Sequence, residues 1–355
     1  MSYKILAINP GSTSTKIALY EDEKEIFTYT INHPVEVIEK FENVEDQLQM
    51  RRDYVMKYLK EHGYDITDLS AVVARGGMLP PVKSGAYIIN DLMIDRVENR
   101  PVMEHASNLA APIAYGIAKA AGIPSYIYDS VMTDELTDIA RISGMPDLPR
   151  TSSSHVLNTR AMAIKAAKKL GRKYEDVNII VAHLGGGISI NIHSNGHIID
   201  LVSDDEGPFS PERAGRVPCR ELINLCYSGK FDKKTMQRKL RGNGGLKAYL
   251  NTVDAREVEK MIADGNQEAK TIYEAMAYQV AKGIGELATV VEGRVDLIIL
   301  TGGIAHSKLL TSWIEKRVAF IGPVEILAGE NEMEALAYGA LRVLRGEESA
   351  REYTE

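Results

Sequence analysis

A pattern that occurs twice constrains this chain more than anything else in it. In residues 4–20, KILAINPGSTSTKIALY, an apolar run (Ile5, Leu6, Ala7, Ile8) reads as a buried strand. A polar turn follows (Asn9, Pro10, Gly11, Ser12, Thr13, Ser14, Thr15, Lys16), and a second short strand leaves it (Ile17, Ala18, Leu19, Tyr20). In residues 178–200, NIIVAHLGGGISINIHSNGHIID, an apolar run again ends in a turn (His183, Leu184, Gly185, Gly186, Gly187), and an alternating strand over 188–192 again leaves it. Each copy then makes a hairpin into a further strand. Two such stretches about half a chain apart predict two like-folded halves.

Both turns carry the chemistry of phosphate binding. Glycine lets backbone approach a ligand closely, small hydroxyl side chains and amides donate hydrogen bonds, and Lys16 adds charge. The spacing fits neither GxxxxGK[ST] nor GxGxxG, and a strand rather than a helix follows. This is therefore neither a P-loop nor a dinucleotide turn. Taken singly, the first turn reads equally well as an ordinary polar hairpin. Recurrence tips the balance, and a close-approach site explains three adjacent glycines better than a generic loop does.

At 355 residues the chain exceeds a single typical core, so two domains are expected. The Pro- and Ser-rich stretch at 144–154 marks the expected boundary between them. A net charge of −7, with no basic stripe interleaved with aromatics, argues against a nucleic-acid partner. It leaves room for a small anionic substrate, because local Arg and Lys override a distant negative field. Cys219 and Cys226 lack metal-type spacing and read as reduced thiols. No signal-peptide core is present at the N-terminus, and no run reaches the ~18 apolar residues of a membrane span. The expectation is a soluble cytoplasmic protein.

Four further places can carry chemistry, each with a plainer alternative. A parallel-type strand over 69–74 ends in Arg75, Gly76 and Gly77, where open α/β sheets bind ligands; Arg75 could instead be a salt-bridged surface residue. A strand over 123–129 ends on Asp129, placed to hold Mg²⁺ or to cap a following helix. Ser210 as N-cap and Pro211 at the first helical position put Arg213 in a first turn, against the macrodipole. A shared anion would relieve that, as would pairing with Glu212 or Glu206. A strand over 295–304 ends in Gly302 and Gly303, bare backbone on which a flat ring or ribose can lie. Asp254 and Arg256 open one helix, and Glu332 and Glu334 open the last, where caps and dipole partners are ordinary. The stripe Ile272, Met276, Val280, Ile284, Leu287, Val291 in the long helix over 267–293 is core. Donors round phosphates, a carboxylate for Mg²⁺ and two arginines are what phosphoryl transfer requires.

The ordered set INPGSTSTK, ARGG, YDS, SSSH, VAHLGGGIS, PERAG, VDLIILTGGI and ENEMEALAYG resembles the acetate and butyrate kinase family, within the superfamily of acetate and sugar kinases, heat-shock ATPases and actin. NPGSTSTK and ARGG look like the butyrate kinase branch rather than the NAGSSSLK and VHGG forms. The resemblance implies an α/β protein with a duplicated ribonuclease-H-like fold, two mixed five-stranded sheets flanked by helices round a central cleft. It divides the chain into 1–149 with 335–355, and 150–334. It further implies Mg²⁺, ATP/ADP, a short-chain carboxylic acid as small-molecule substrate, and a homo-oligomer. By resemblance Asn9, Ser12, Ser14 and Lys16 border the transferring phosphate and metal, and Arg75 and Arg213 clamp carboxylate and phosphoryl oxygens. Asp129 works with Mg²⁺, Glu334 (or Glu332, two residues away) orients a metal-bound water, and His183 helps hold the transition state. Gly185, Gly186 and Gly187 cradle nucleotide phosphates, while Asp254, Arg256, Gly302 and Gly303 surround the adenosine.

One departure bears on mechanism. Where acetate kinases carry a further histidine in FHGTSH, this chain has Thr151 in RTSSSH and retains only His155. A phosphohistidine at the missing position cannot operate, which leaves direct in-line transfer. The expected activity is reversible ATP-dependent formation of an acyl phosphate from butyrate or a branched analogue. A sugar kinase of the same superfamily, with Asp129 as base, and a non-enzymatic actin-like ATP switch are the alternatives.

Overall fold

A computed structural model describes residues 2–354. Twelve strands lie among them: β1 Lys4–Pro10, β2 Ser14–Glu21, β3 Lys24–Asn32, β4 Ala71–Arg75, β5 Ala86–Ile88, β6 Ser125–Tyr128, β7 Ile179–Leu184, β8 Ile188–Ser194, β9 His197–Val202, β10 Leu297–Gly302, β11 Val324–Ala328 and β12 Arg351–Glu352. They form two sheets, ordered β12-β5-β6-β4-β1-β2-β3 and β11-β10-β7-β8-β9. Each sheet belongs to its own compact unit. The first unit comprises the chain up to Asp134 and from Asn331 onward, and the second is Glu135–Glu330.

Leaving out β5 and β12, the two strand orders are identical. In the first unit β1, β2 and β3 make an antiparallel meander, and β4 and β6 add in parallel on the β1 side. In the second, β7, β8 and β9 make the meander, and β10 and β11 add in parallel beside β7. Even the irregularities correspond, with register shifts at Leu19/Tyr20 and at Ile192/His193 in the second hairpin of each meander. The duplication signalled by two turns thus extends through five strands. The five-stranded expectation needs one correction: in the first unit β5 pairs antiparallel with β6, and β12 then pairs with β5, extending that edge to seven strands.

Apolar residues on both faces explain why the sheets are covered on both sides. In the second unit Ile180 and Ala182 face the long helix Gln267–Ala288, whose Tyr273, Met276, Val280 and Ile284 are buried in the same core. Ile179, Val181 and Ile299, on the opposite face, pack against Met162, Ala163 and Ala166 of helix Val156–Lys169. In the first unit Leu6, Ile8, Val72 and Ala74 share a core with Val55 and Leu59 of helix Leu48–Glu61 and Ile113 and Ile117 of helix Ala110–Ala121. Helix Glu332–Leu344 covers the same sheet over β1, β4 and β6. No helix among the described residues is long and apolar enough to cross a membrane.

The expected boundary at 149/150 moves to 134/135. Arg150 fixes the Pro- and Ser-rich stretch to the second unit, donating to Asp200 at 2.9 Å, to Glu206 at 3.0 Å and to the carbonyls of Ala140 and Leu201. Glu135 accepts the Ile198 amide at 3.1 Å, and the Thr137 amide reaches the Ile199 carbonyl. A linker composition is here overridden by one multiply bonded guanidinium. The return crossing falls at 330/331 rather than 334/335.

The final helix is tied to β6 through the Tyr128 hydroxyl, which donates to Glu348 at 2.8 Å and accepts from Arg342 at 2.6 Å. Gly339 lies against the Tyr128 ring, so that a Cβ there would stand 2.4 Å from ring carbons. Because Tyr128 is buried and held at its hydroxyl, the ring has nowhere to go. Gly339→Ala should therefore lower stability by about 1–3 kcal/mol, read as a reduced urea midpoint with an unchanged slope.

Candidate active site

In the first unit β6, β4 and β1 are neighbouring parallel strands, so their carboxyl ends bring Asp129, Arg75 and Asn9 to one edge of the sheet. Asn9 pairs with Lys16 across the β1–β2 hairpin, which puts both side chains on the same face. Asn9 donates to Glu332 at 2.7 Å, and Arg75 lies 3.4 Å from the other oxygen of the same carboxylate. Arg75 is therefore salt-bridged and half-buried within the cluster.

Glu334 stands elsewhere. Two residues along a helix turn the side chain about 200° round the axis, and Glu334 hydrogen-bonds Tyr338 one turn on. Burial, then the Glu334 carboxylate, push the Tyr338 hydroxyl up to about 12. The acid beside Asn9 and Arg75 is Glu332, which corrects the choice between the two.

Asp129 is 1 % exposed and adopts φ +44°, a left-handed conformation that costs energy in a residue with a Cβ. Its Oδ1 accepts the Gly85 amide at 2.7 Å. No helix starts there; the next, Asp138–Arg141, is capped by Thr137, so the capping alternative for Asp129 falls away. Gly76 and Gly77 serve packing. A Cβ on Gly76 would meet Ser130 at 2.6 Å, and one on Gly77 would meet Asn108 at 2.9–3.0 Å.

The first phosphate-type turn is closed by the Gly11 amide on the Ser14 carbonyl, with Ser12 exposed and Ser14 half-buried. Behind it lies Arg51, 0 % exposed. Nothing in the sequence separates Arg51 from the other basic residues of helix Leu48–Glu61; only the fold reveals its burial.

In the second unit His183 is the penultimate residue of β7 and His155 precedes helix Val156–Lys169. Their rings stack with centroids 4.0 Å apart and planes 13° from parallel. Each ring is held at Nδ1, His155 by the Ser189 hydroxyl at 2.8 Å and His183 by Asn158 Oδ1 at 3.1 Å. Asn158 and Ser189 were not signalled by the sequence; their role is visible only through these contacts. Thr151 is exposed.

The three glycines have separable reasons. A Cβ on Gly185 would stand 2.9 Å from His183 Nε2, and one on Gly187 2.5 Å from Arg213 Nη1. The Gly186 carbonyl accepts the Ser210 hydroxyl at 2.6 Å. Arg213 thus lies directly over the second turn, but not by the local structure expected of it. No helix begins at Ser210: the segment is irregular, Arg213 bridges to Arg241, and the next helix is Cys219–Cys226. Gly215 adopts φ +61°, and a Cβ on it would stand within 2.7 Å of the backbone of residues 207–209, so glycine lets the chain bend here out of a helical path. Arg213 is held by the buried Asp204 at 2.5 Å, with Arg241 on the same carboxylate at 3.1 Å, in place of Glu212 or Glu206. The Arg213 Nε is buried without a hydrogen-bond partner.

Gly302 adopts φ +89°, and a Cβ on it would stand 2.4 Å from the Leu184 carbonyl, whereas Gly303 faces open space. Asp254 caps helix Ala255–Ala263 and binds the Arg256 guanidinium, whose pull, with the Arg256 amide, holds its pKa at about 2. Arg256 is 91 % exposed. The same helix is joined to the start of helix Lys308–Val318 by Glu259, which accepts from Ser307 and Tyr273.

The first unit thus presents a hydroxyl-rich turn, a lysine, an arginine and hard oxygen donors. The second presents a glycine turn under an arginine, a histidine pair and a diglycine. This defines a duplicated, actin-like α/β fold of the kind found in kinases. An acetate kinase from Porphyromonas gingivalis shares it at TM-score 0.80 over 96 % of this chain and all of its own, at 19 % identity. A ROK hexokinase from Thermus thermophilus does so at 0.52 over 97 % and 99 %, at 14 % identity. In sequence, butyrate kinase 2 of Clostridium acetobutylicum is 49 % identical over 355 residues, 99 % of this chain and 100 % of its own. Probable butyrate kinase 2 of Caldanaerobacter subterraneus subsp. tengcongensis is 49 % identical over 352 residues, 99 % of each. The sequence model of the acetokinase family matches residues 151–337. The chain belongs to the acetokinase family.

Asp204 compensates two guanidinium groups from a buried position. Asp204→Asn should cost about 3 kcal/mol in a denaturant titration and leave Arg213 unanchored. A loss no larger than that of a surface substitution would show that the pair does not hold the segment.

Proposed function

We propose that this protein is an ATP-dependent butyrate kinase. It transfers the terminal phosphoryl group of ATP to the carboxylate of butyrate or a close branched analogue, reversibly, yielding acyl phosphate and ADP. The observation carrying this reading is the gathering of Asn9, Arg75, Asp129 and Glu332 at one sheet edge beside the Ser12–Ser14 turn. Full-length likeness to butyrate kinases supports it.

A short-chain acid is already ionised at neutral pH and needs no general base. One carboxylate oxygen bonds to the γ-phosphorus as the bond from that phosphorus to the bridging oxygen breaks, and ADP leaves with the electron pair. Arg75 and Arg213 bind the carboxylate and the equatorial phosphoryl oxygens, shielding charge that would otherwise repel the incoming nucleophile. Asn9, Lys16, Ser12 and Ser14 border the transferring group, and Gly185, Gly186 and Gly187 hold the nucleotide phosphates. His183, kept in place by Asn158 and stacked on His155, donates to the transferring group. Gly302, Gly303, Asp254 and Arg256 take the adenosine.

Asp129, Asn9 and Glu332 are hard oxygen donors of the type that suits Mg²⁺, and would hold it. When bound, that ion neutralises phosphate oxygens. Among the described residues no three His, Cys, Asp or Glu side chains are grouped so as to hold a metal ion, and Mg²⁺ ordinarily takes only one or two carboxylates, with waters and phosphate oxygens as its remaining ligands.

With Mg-ATP and a series of two- to six-carbon acids, hydroxylamine trapping should give most acyl hydroxamate at four carbons, and none without the divalent ion. Hexoses in place of acids should give no ADP; the reverse pattern would replace the reading with a sugar kinase. Arg75→Ala and Arg213→Ala should each lower kcat roughly 10³-fold, the scale of an arginine acting on transferring phosphoryl oxygens. Losses below about tenfold in both would remove them from these roles.

A further inference from the structure

Behind the first turn, Arg51 makes a set of contacts that the roles above do not use. Its Nη1 donates to the carbonyls of Gly11 and Ser14, both at 2.8 Å, and to the Thr15 hydroxyl at 3.3 Å. Its Nη2 donates to the Ser12 carbonyl at 2.9 Å, and Gln47 accepts from Nη2 at 2.8 Å and from Nε at 3.0 Å. None of these acceptors is a carboxylate. Burial draws the pKa down to about 10, so the group still carries its charge at neutral pH. The Thr13 carbonyl accepts the His33 amide at 2.8 Å.

In a trans peptide the carbonyl and the following amide point to opposite sides. Drawing the carbonyls of Gly11 and Ser12 toward Arg51 therefore aims the amides of Ser12 and Thr13 away from it. We propose that Arg51 is a positioning residue for phosphoryl transfer: it shapes residues 11–14 into an anion-facing row of amides and sets an unneutralised positive charge behind them. Five neutral oxygens converging on a buried cation fit a group whose charge is directed at a ligand beyond the turn better than one placed for packing. The inference rests on the kinase reading for what the turn holds, though not for the shape of the turn.

Arg51→Lys keeps the charge and loses the fork, while Arg51→Met loses both. Val55→Ala, in the same helix but buried in the core, is the control for destabilisation. Arg51→Lys should lower kcat about 100-fold, the scale of a reacting group displaced by an ångström, with the KM for butyrate unchanged. Arg51→Met should lose more, and Val55→Ala should lower the Tm while keeping kcat. Hydrogen exchange of the Gly11 amide, which is bonded to the Ser14 carbonyl that Arg51 also holds, should quicken about tenfold in Arg51→Lys, with helix Leu48–Glu61 unaffected. A kcat for Arg51→Lys within about threefold of that of Val55→Ala would overturn the proposal. Should Arg51→Met fail to fold, Gln47→Leu, which frees the guanidinium from its orienting partner, decides with Arg51→Lys. A wild-type protein that makes no acyl phosphate would sink the kinase reading alone; the exchange measurement then stands by itself, and an unchanged rate at the Gly11 amide would sink Arg51.

Discussion

The pairing of β4 between β1 and β6 is the constraint on which the first unit's chemistry depends. All three are parallel, and β4 is buried along almost its whole length. A one-residue slip would send the residues of each face to the opposite one, into a core that does not fit them. Register is thereby fixed, and with it the level at which Asn9, Arg75 and Asp129 emerge. The side chains that meet Glu332 owe their proximity to main-chain ladders well below them.

The second unit repeats that frame with different fittings. Where the first turn is rich in hydroxyls and braced from behind by a buried guanidinium, the second is bare glycine with a guanidinium on top. Arg75 ends a strand; Arg213 comes from an irregular segment and is held by a buried aspartate. One five-stranded scaffold thus carries two unlike turns, as expected where function resides in grafted loops and not in the fold itself.

Much of this was legible because it is local. Apolar runs ending in Gly- or Ser-rich turns marked β1, β2, β7 and β8, and Arg75, Asp129 and Gly302 sit at or just past strand ends as their neighbours implied. What escaped depends on distant partners. β5 and β12, three and two residues long, carry no period to detect. The Ser210-Pro211 pair has the look of a helix start, but Asp204, Gly186 and Gly215 hold the segment in another shape. Composition made residues 144–154 look like a linker until Arg150 was seen bound to Asp200 and Glu206. Glu332 and Glu334 are indistinguishable in the sequence, and only the phase of the helix separates them. Burial of Arg51 is a property of the assembled core, absent from the polar helix that carries it.

The first unit is discontinuous: its sheet is built from the start of the chain, but the helix that covers β1, β4 and β6 lies beyond Asn331. During synthesis the contiguous second unit is complete on the ribosome before that helix has emerged. Until the last two dozen residues arrive, the apolar back of the N-terminal sheet stays uncovered and Asn9 and Arg75 lack the carboxylate they share. Premature termination or C-terminal proteolysis would thus remove a core layer and a member of the charged cluster in one event.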